Sequence, residues 1–125
     1  MPQKILLVDD DKSILFALSE YFTAYGYQVE CAQEPEEAEA LLALGGCSVV
    51  ITDLRLSGIH STEGLDVVRY VREHSPATRV ILLTAYGSLQ IENEARRRGA
   101  DAFLDKPKPL AEVARVVSEL LGKGS

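Results

Sequence analysis

VVITDLRLSG (residues 49–58) begins as a run of apolar and β-branched residues and stops abruptly at Asp53. Such a nearly continuous run suits a strand buried on both faces, as in a parallel sheet covered by helices. Ending it on a carboxylate places a charge at the rim of the core, where burial must be compensated. Three further stretches end the same way: LLVDDD (6–11), VILLTAYG (80–87) and AFLDKPK (102–108). In each, an apolar run meets a residue suited to phosphate or metal chemistry.

Outward from these runs, strands are expected at KILLV (4–8), YQVEC (27–31), SVVIT (48–52), RVILLT (79–84) and AFL (102–104). Amphipathic helices fill the intervals, with apolar positions three to four apart. They use Ile14, Leu15, Leu18 and Phe22, then Ala38, Leu41 and Leu42, then Leu65, Val68 and Val71. A weaker fourth helix runs through Ile91 and Ala95 to Arg98, with Gly99 as its stop, and the last uses Leu110, Val113, Val117 and Leu120. Pro35 stands where a helix begins and Gly45 just past where it ends.

Five β-α units in succession imply an α/β fold, a doubly wound parallel sheet with right-handed crossovers and helices on both faces. The apolar strands 1, 3 and 4 belong in the centre. The alternating YQVEC and the short AFL belong at the edges, which gives the flavodoxin-like order 2-1-3-4-5.

Length and charge agree with that reading. At 125 residues the chain is one domain, expected over 1–122, with 123–125 as a tail or the start of a linker. A net charge of −6 argues against a nucleic-acid surface, and no apolar stretch reaches the roughly 18 residues of a membrane span. The N-terminus has no signal-peptide pattern, and a cytoplasmic location is expected. Cys31 and Cys47 lack metal-site spacing and are expected to be small buried residues of a reducing compartment.

In a parallel sheet all strands end on one side, so Asp9, Asp10, Asp11, Asp53, Thr84 and Lys106 converge. Two carboxylates ~4 Å apart repel by about 4 kcal/mol at an effective dielectric near 20. Such a cluster needs a proton, a cationic side chain or a metal, and an oxygen-only donor set favours a hard divalent ion such as Mg²⁺. With Lys106 for charge and Thr84 for a hydrogen bond, these are the parts for holding a phosphoryl group beside a nucleophilic carboxylate.

At these residues the chain resembles a response-regulator receiver domain of two-component signalling, over essentially its whole length. The resemblance rests on LLVDDD, ITDLRL, LLTAYG and GADAFLDKP in that order. The wording LTAYGS…GADAFLDKP is most similar to receivers of the nitrogen-regulation type. The resemblance implies Asp53 as phosphoacceptor, with Mg²⁺ held by Asp9, Asp10, Asp53 and the Arg55 backbone carbonyl. It further implies that Thr84 and Lys106 bind phosphoryl oxygens, that Phe103 switches with Thr84, and that the Lys106–Pro107 bond is cis. It makes a histidine kinase or a histidine phosphotransfer protein the donor. An effector domain or output protein would read the switched face of helix 4, strand 5 and helix 5, through a phosphorylation-dependent homodimer in some members. The chain would then be a signalling switch that catalyses only its own phosphorylation and dephosphorylation.

Blander readings stand beside these. Asp11 reads as a helix start, Phe103 as a core aromatic in either case, and His60 and His74 as exposed. Arg96–Arg97–Arg98 reads as a solvated run that complements a helix C-terminus. Two departures from the family pattern lie beside Asp53. Ser57 stands where a Pro is usual, and the helix-leading Gly64 comes eleven residues on instead of about eight. The loop SGIHSTEG is therefore expected to be about three residues longer. Lys108 replaces a Phe common after the KP pair. Arg55 and Tyr86 would flank the path of water to an aspartyl phosphate. Two alternatives remain at this point: a pseudo-receiver that binds partners without phosphotransfer, and a Mg²⁺-dependent phosphohydrolase. The latter usually has a second Asp where Arg55 stands.

Overall fold

A computed structural model of the chain describes residues 3–56 and 62–122. Among the described residues, five strands and five helices alternate: β1 (Lys4–Val8), α1 (Lys12–Ala24), β2 (Gln28–Ala32), α2 (Pro35–Ala43), β3 (Cys47–Thr52), α3 (Glu63–His74), β4 (Arg79–Thr84), α4 (Leu89–Arg98), β5 (Ala102–Asp105) and α5 (Leu110–Leu120). All pairings are parallel and the sheet order is β2-β1-β3-β4-β5.

The two-residue period of the strands divides the core in two. Ile5, Leu7, Val49, Ile51, Ile81 and Leu83 face α1 and α5, which bury Leu15, Leu18, Phe22, Val113, Val116 and Val117 against them. Leu6, Val8, Val50, Val80 and Leu82 face the other way, toward Ala38 and Leu42 of α2, Leu65, Val68 and Val71 of α3, and Ala95 of α4. The fourth helix buries only Ala95, in keeping with its weak periodicity, and Gly99 ends it at φ +114°. Arg96, Arg97 and Arg98 lie in its last turn, where they pair with Glu92 and Glu94, and Arg98 also reaches Asp66 of α3.

Cys31 departs from expectation. It is exposed, because β2 is an edge strand whose outer positions lack a covering neighbour. Cys47 is half-buried, with Sγ 3.3 Å from the Val49 carbonyl oxygen. His74 is exposed, and its ring stacks on Tyr70 with centroids 4.1 Å apart. His60 and the expected loop extension at Ser57–Ser61 lie outside the described residues.

Candidate functional site

The backbone extends the sheet by one residue past its strands, and this sets the site. Asp9 N donates to Ala32 O at 3.1 Å, Asp53 N to Val8 O at 2.9 Å and Lys106 N to Thr84 O at 2.9 Å. These bonds fix three of the candidate residues at one rim, from strands separated widely in sequence. Gly64 adds a constraint from the first turn of α3. Its N–H donates to Leu54 O at 2.9 Å, and a Cβ there would collide with the Asp53 carbonyl oxygen. The helix-leading glycine therefore lets α3 close directly on the backbone that carries Asp53.

One carboxylate oxygen from each of Asp9, Asp10 and Asp53 lies within 4.8 Å of the other two. Asp9 and Asp53 are only 5% and 6% exposed, whereas Asp10 faces solvent. Lys106 Nζ bridges the buried pair, 2.6 Å from Asp9 Oδ2 and 3.1 Å from Asp53 Oδ2. The other oxygens are also held: Asp11 N–H donates to Asp9 Oδ1 at 2.9 Å, and Leu54 N–H to Asp53 Oδ1 at 2.7 Å. Both carboxylate planes are thus fixed by groups from neighbouring elements. Asp11 accepts from Ser13 N–H at 2.9 Å and caps α1, as its position implied.

The charges respond to this crowding. Burial pushes the Asp9 carboxyl above the ordinary carboxylate range, against the hydrogen bond from Lys106. Burial also disfavours the Lys106 ammonium, but the hydrogen bond and attraction from Asp9 and the charge of Asp53 outweigh it and raise its pKa. One ammonium faces three carboxylates, so the site retains a negative balance that a hard divalent cation would complement. The all-oxygen donor set and its spacing fit such an ion.

A cavity of about 290 Å³ opens over the cluster, lined by Asp9, Asp10, Asp53, Arg55, Tyr86 and Lys106 among others. The Arg55 guanidinium lies 3.8 Å over the Tyr86 ring, so the β3–α3 and β4–α4 loops meet across its mouth. Thr84 is fully buried at the end of β4, and its hydroxyl accepts from Tyr86 N–H at 3.1 Å. The hydroxyl hydrogen therefore remains available for donation to another group. Phe103 is half-buried on the same sheet face, and the Lys106–Pro107 bond is cis. Asp9, Asp10, Asp53, Arg55 and Lys106 are thus brought to one cavity, with Thr84 beneath its rim and Phe103 outside it. The sequence placed Lys106 beside the carboxylates and Arg55 and Tyr86 beside Asp53, but not the Lys106 bridge to both Asp9 and Asp53, the stacking of Arg55 on Tyr86, or the close packing at Gly64. Each depends on distances between segments that no local pattern encodes.

The sequence model of the family described as response regulator receiver domain matches residues 5–118. The photosynthetic apparatus regulatory protein RegA of Cereibacter sphaeroides is 35% identical over 122 residues, which are 98% of this chain and 63% of that protein. The response regulator protein PilR of Pseudomonas aeruginosa is 35% identical over 119 residues, 95% of this chain and 26% of that protein. This chain therefore spans less than two thirds of either relative. Among solved structures, a CheY-like response regulator receiver domain protein from Methanospirillum hungatei superposes with a TM-score of 0.92 at 27% identity, over 99% of this chain and 97% of that one.

Proposed function

The chain belongs to the response regulator receiver domain family, and from that premise we propose that it accepts a phosphoryl group on Asp53. The observation that carries this reading is the Lys106 ammonium held between Asp9 and Asp53 within a three-carboxylate cluster at the sheet's carboxyl rim. An ordinary structural ion pair has no need of a second and third carboxylate.

The donor is a phosphohistidine of a histidine kinase or a histidine phosphotransfer protein. An Asp53 carboxylate oxygen attacks phosphorus in line, the O–P bond forms as the N–P bond breaks, and the imidazole departs with the bonding electrons and takes up a proton. Asp9, Asp10, Asp53 and the Arg55 backbone carbonyl would hold Mg²⁺, which when bound supplies positive charge to the phosphoryl oxygens. Lys106 neutralises a phosphoryl oxygen, since its ammonium already stands 3.1 Å from Asp53 Oδ2. Thr84 donates its free hydroxyl hydrogen to another. Leu54 N–H and the α3 contact at Gly64 keep the Asp53 carboxylate from turning as charge builds.

Drawing Thr84 toward the phosphoryl group shifts the β4–α4 loop and lets Phe103 repack, which changes the α4–β5–α5 face. That face would signal to an effector domain, to an output protein or to a second phosphorylated copy. The only reactions catalysed would be the domain's own phosphorylation and dephosphorylation, in the cytoplasm where such kinases deliver the group.

Intact-mass spectrometry after incubation with Mg²⁺ and acetyl phosphate tests the reading. One phosphoryl adduct is expected that requires Mg²⁺ and is absent from Asp53→Asn. No adduct in the wild-type chain, together with no fluoroberyllate binding, would reject it in favour of a pseudo-receiver.

A further inference from the structure

Thr52 ends β3 one residue before Asp53 and is fully buried. Valine has the same shape and would fill a buried strand position without bringing a polar atom into the core. A hydroxyl in such a place must find a partner, and Thr52 Oγ1 donates to the Asp53 carbonyl oxygen at 3.0 Å. Val8 and Leu82, the register partners of Thr52 on either side, belong to the half of the core covered by α2, α3 and α4. The Thr52 side chain faces the same half. Gly64 of α3 closes on the Asp53 carbonyl from that side, in space that a Cβ could not share.

The bond acts on the peptide group that joins Asp53 to Leu54. Its carbonyl end is held by the Thr52 hydroxyl and packed against Gly64. Its amide end, Leu54 N–H, turns back to donate to Asp53 Oδ1 at 2.7 Å. A peptide group is planar, so its two ends cannot turn independently. The hydroxyl that fixes the carbonyl therefore also fixes the direction of the N–H, and with it the plane of the Asp53 carboxylate. Held this way by Oδ1, the carboxylate presents Oδ2 to Lys106 Nζ at 3.1 Å.

We infer that Thr52 is a positioning residue for phosphoryl transfer: its buried hydroxyl locks the Asp53–Leu54 peptide plane, and that plane sets the angle at which the Asp53 carboxylate meets phosphorus. The inference rests on the phosphoryl-accepting reading of Asp53. Thr52 is screened from the cavity by its burial and acts only through the backbone. In-line attack tolerates little misalignment, and a carboxylate that is free to turn spends much of its time off the productive angle.

The test compares Thr52→Val, which keeps the shape and removes the hydroxyl, with Thr52→Ser, which keeps the hydroxyl. At saturating Mg²⁺, the second-order rate constant for phosphorylation by acetyl phosphate is expected to fall about tenfold in Thr52→Val. In Thr52→Ser it should stay within about twofold of wild type. The Leu54 amide proton, read by NMR without any phosphoryl donor, should move upfield in Thr52→Val alone as its bond to Asp53 loosens. An unchanged rate in Thr52→Val, or a serine variant as slow as the valine variant, overturns the inference. So does a slow Thr52→Val whose Leu54 amide has not moved, because the effect would then bypass the peptide plane. Should Thr52→Val fail to fold, the wild-type hydroxyl decides: a Thr52 hydroxyl proton protected from exchange supports the bond, and one that exchanges freely overturns it. If wild type takes up no phosphoryl group, the reading of Asp53 fails separately, and the Leu54 shift still judges whether Thr52 orients the carboxylate.

Discussion

Asp10 is the exposed member of the carboxylate trio, while Asp9 and Asp53 already share Lys106. Removing its charge should leave the metal-free fold unchanged and weaken cation binding. Mg²⁺ is expected to raise the wild-type Tm by mass action, and differential scanning fluorimetry should show most of that rise lost in Asp10→Asn. A full Mg²⁺ shift in the variant would place the ion elsewhere. Arg55 and Tyr86 meet over the cavity mouth at 3.8 Å, and we expect the pair to slow the approach of water to phosphorylated Asp53. An Arg55→Ala, Tyr86→Ala double variant should lose its phosphoryl group roughly fivefold faster, equivalent to about 1 kcal/mol. Equal half-lives for variant and wild type would remove that role. The cysteines differ in a way their sequence did not announce. Burial pushes the Cys47 thiol up to about 11, so its thiolate fraction at pH 8 is on the order of one in a thousand. Cys31 is exposed at the sheet edge, and iodoacetamide at pH 8 should alkylate it well before Cys47. Comparable labelling of both would contradict the packing around β3.

At the scale of the element, α4 is the least firmly held helix. It buries Ala95 alone, with Ile91 half-buried, and relies on its ends and on ion pairs. Ser88 Oγ accepts from Ile91 N–H at its start, and Gly99 N–H bonds back to Ala95 O and Arg96 O at its end. Gly99 sits at φ +114°, and a Cβ there would stand 2.7 Å from Arg72 Nε, whose guanidinium donates to Gly99 O and Asp101. Gly99→Ala should therefore cost about 1–3 kcal/mol in urea unfolding, from backbone strain and displacement of Arg72. A loss below half a kilocalorie would mean that the turn relaxes freely. The helix was legible in the sequence because Gly99 and the apolar spacing of Ile91 and Ala95 are local signals, whereas the Ser88 cap emerged only in the structure. The Arg72 network was not, since it joins α3 to the start of β5 across 29 residues.

For the whole molecule, the two halves of the core share one sheet, and β1, an interior strand, contributes Leu6 and Val8 to one side and Ile5 and Leu7 to the other. Neither side can lose its packing without exposing strands that the other needs. Unfolding should therefore be a single cooperative transition, with coincident curves from far-UV dichroism and tyrosine fluorescence. With no Trp in the chain, the tyrosines report both faces: Tyr27 packs on the α1–α5 side and Tyr70 on the other. Two separated transitions would show that the halves fold independently. The order of elements, the interior place of the three apolar strands and the gathering of Asp9, Asp10, Asp53, Thr84 and Lys106 at one rim were already legible along the chain. Those follow from runs, periods and strand ends, which are properties of short segments. Packing between distant segments settled the rest: Lys106 spans Asp9 and Asp53, partners 97 and 53 residues away, Cys31 is left exposed, and Gly64 lets α3 close on the Asp53 backbone. Such contacts depend on how separate segments pack at ångström precision, and the pattern of apolar and polar residues does not carry that distance.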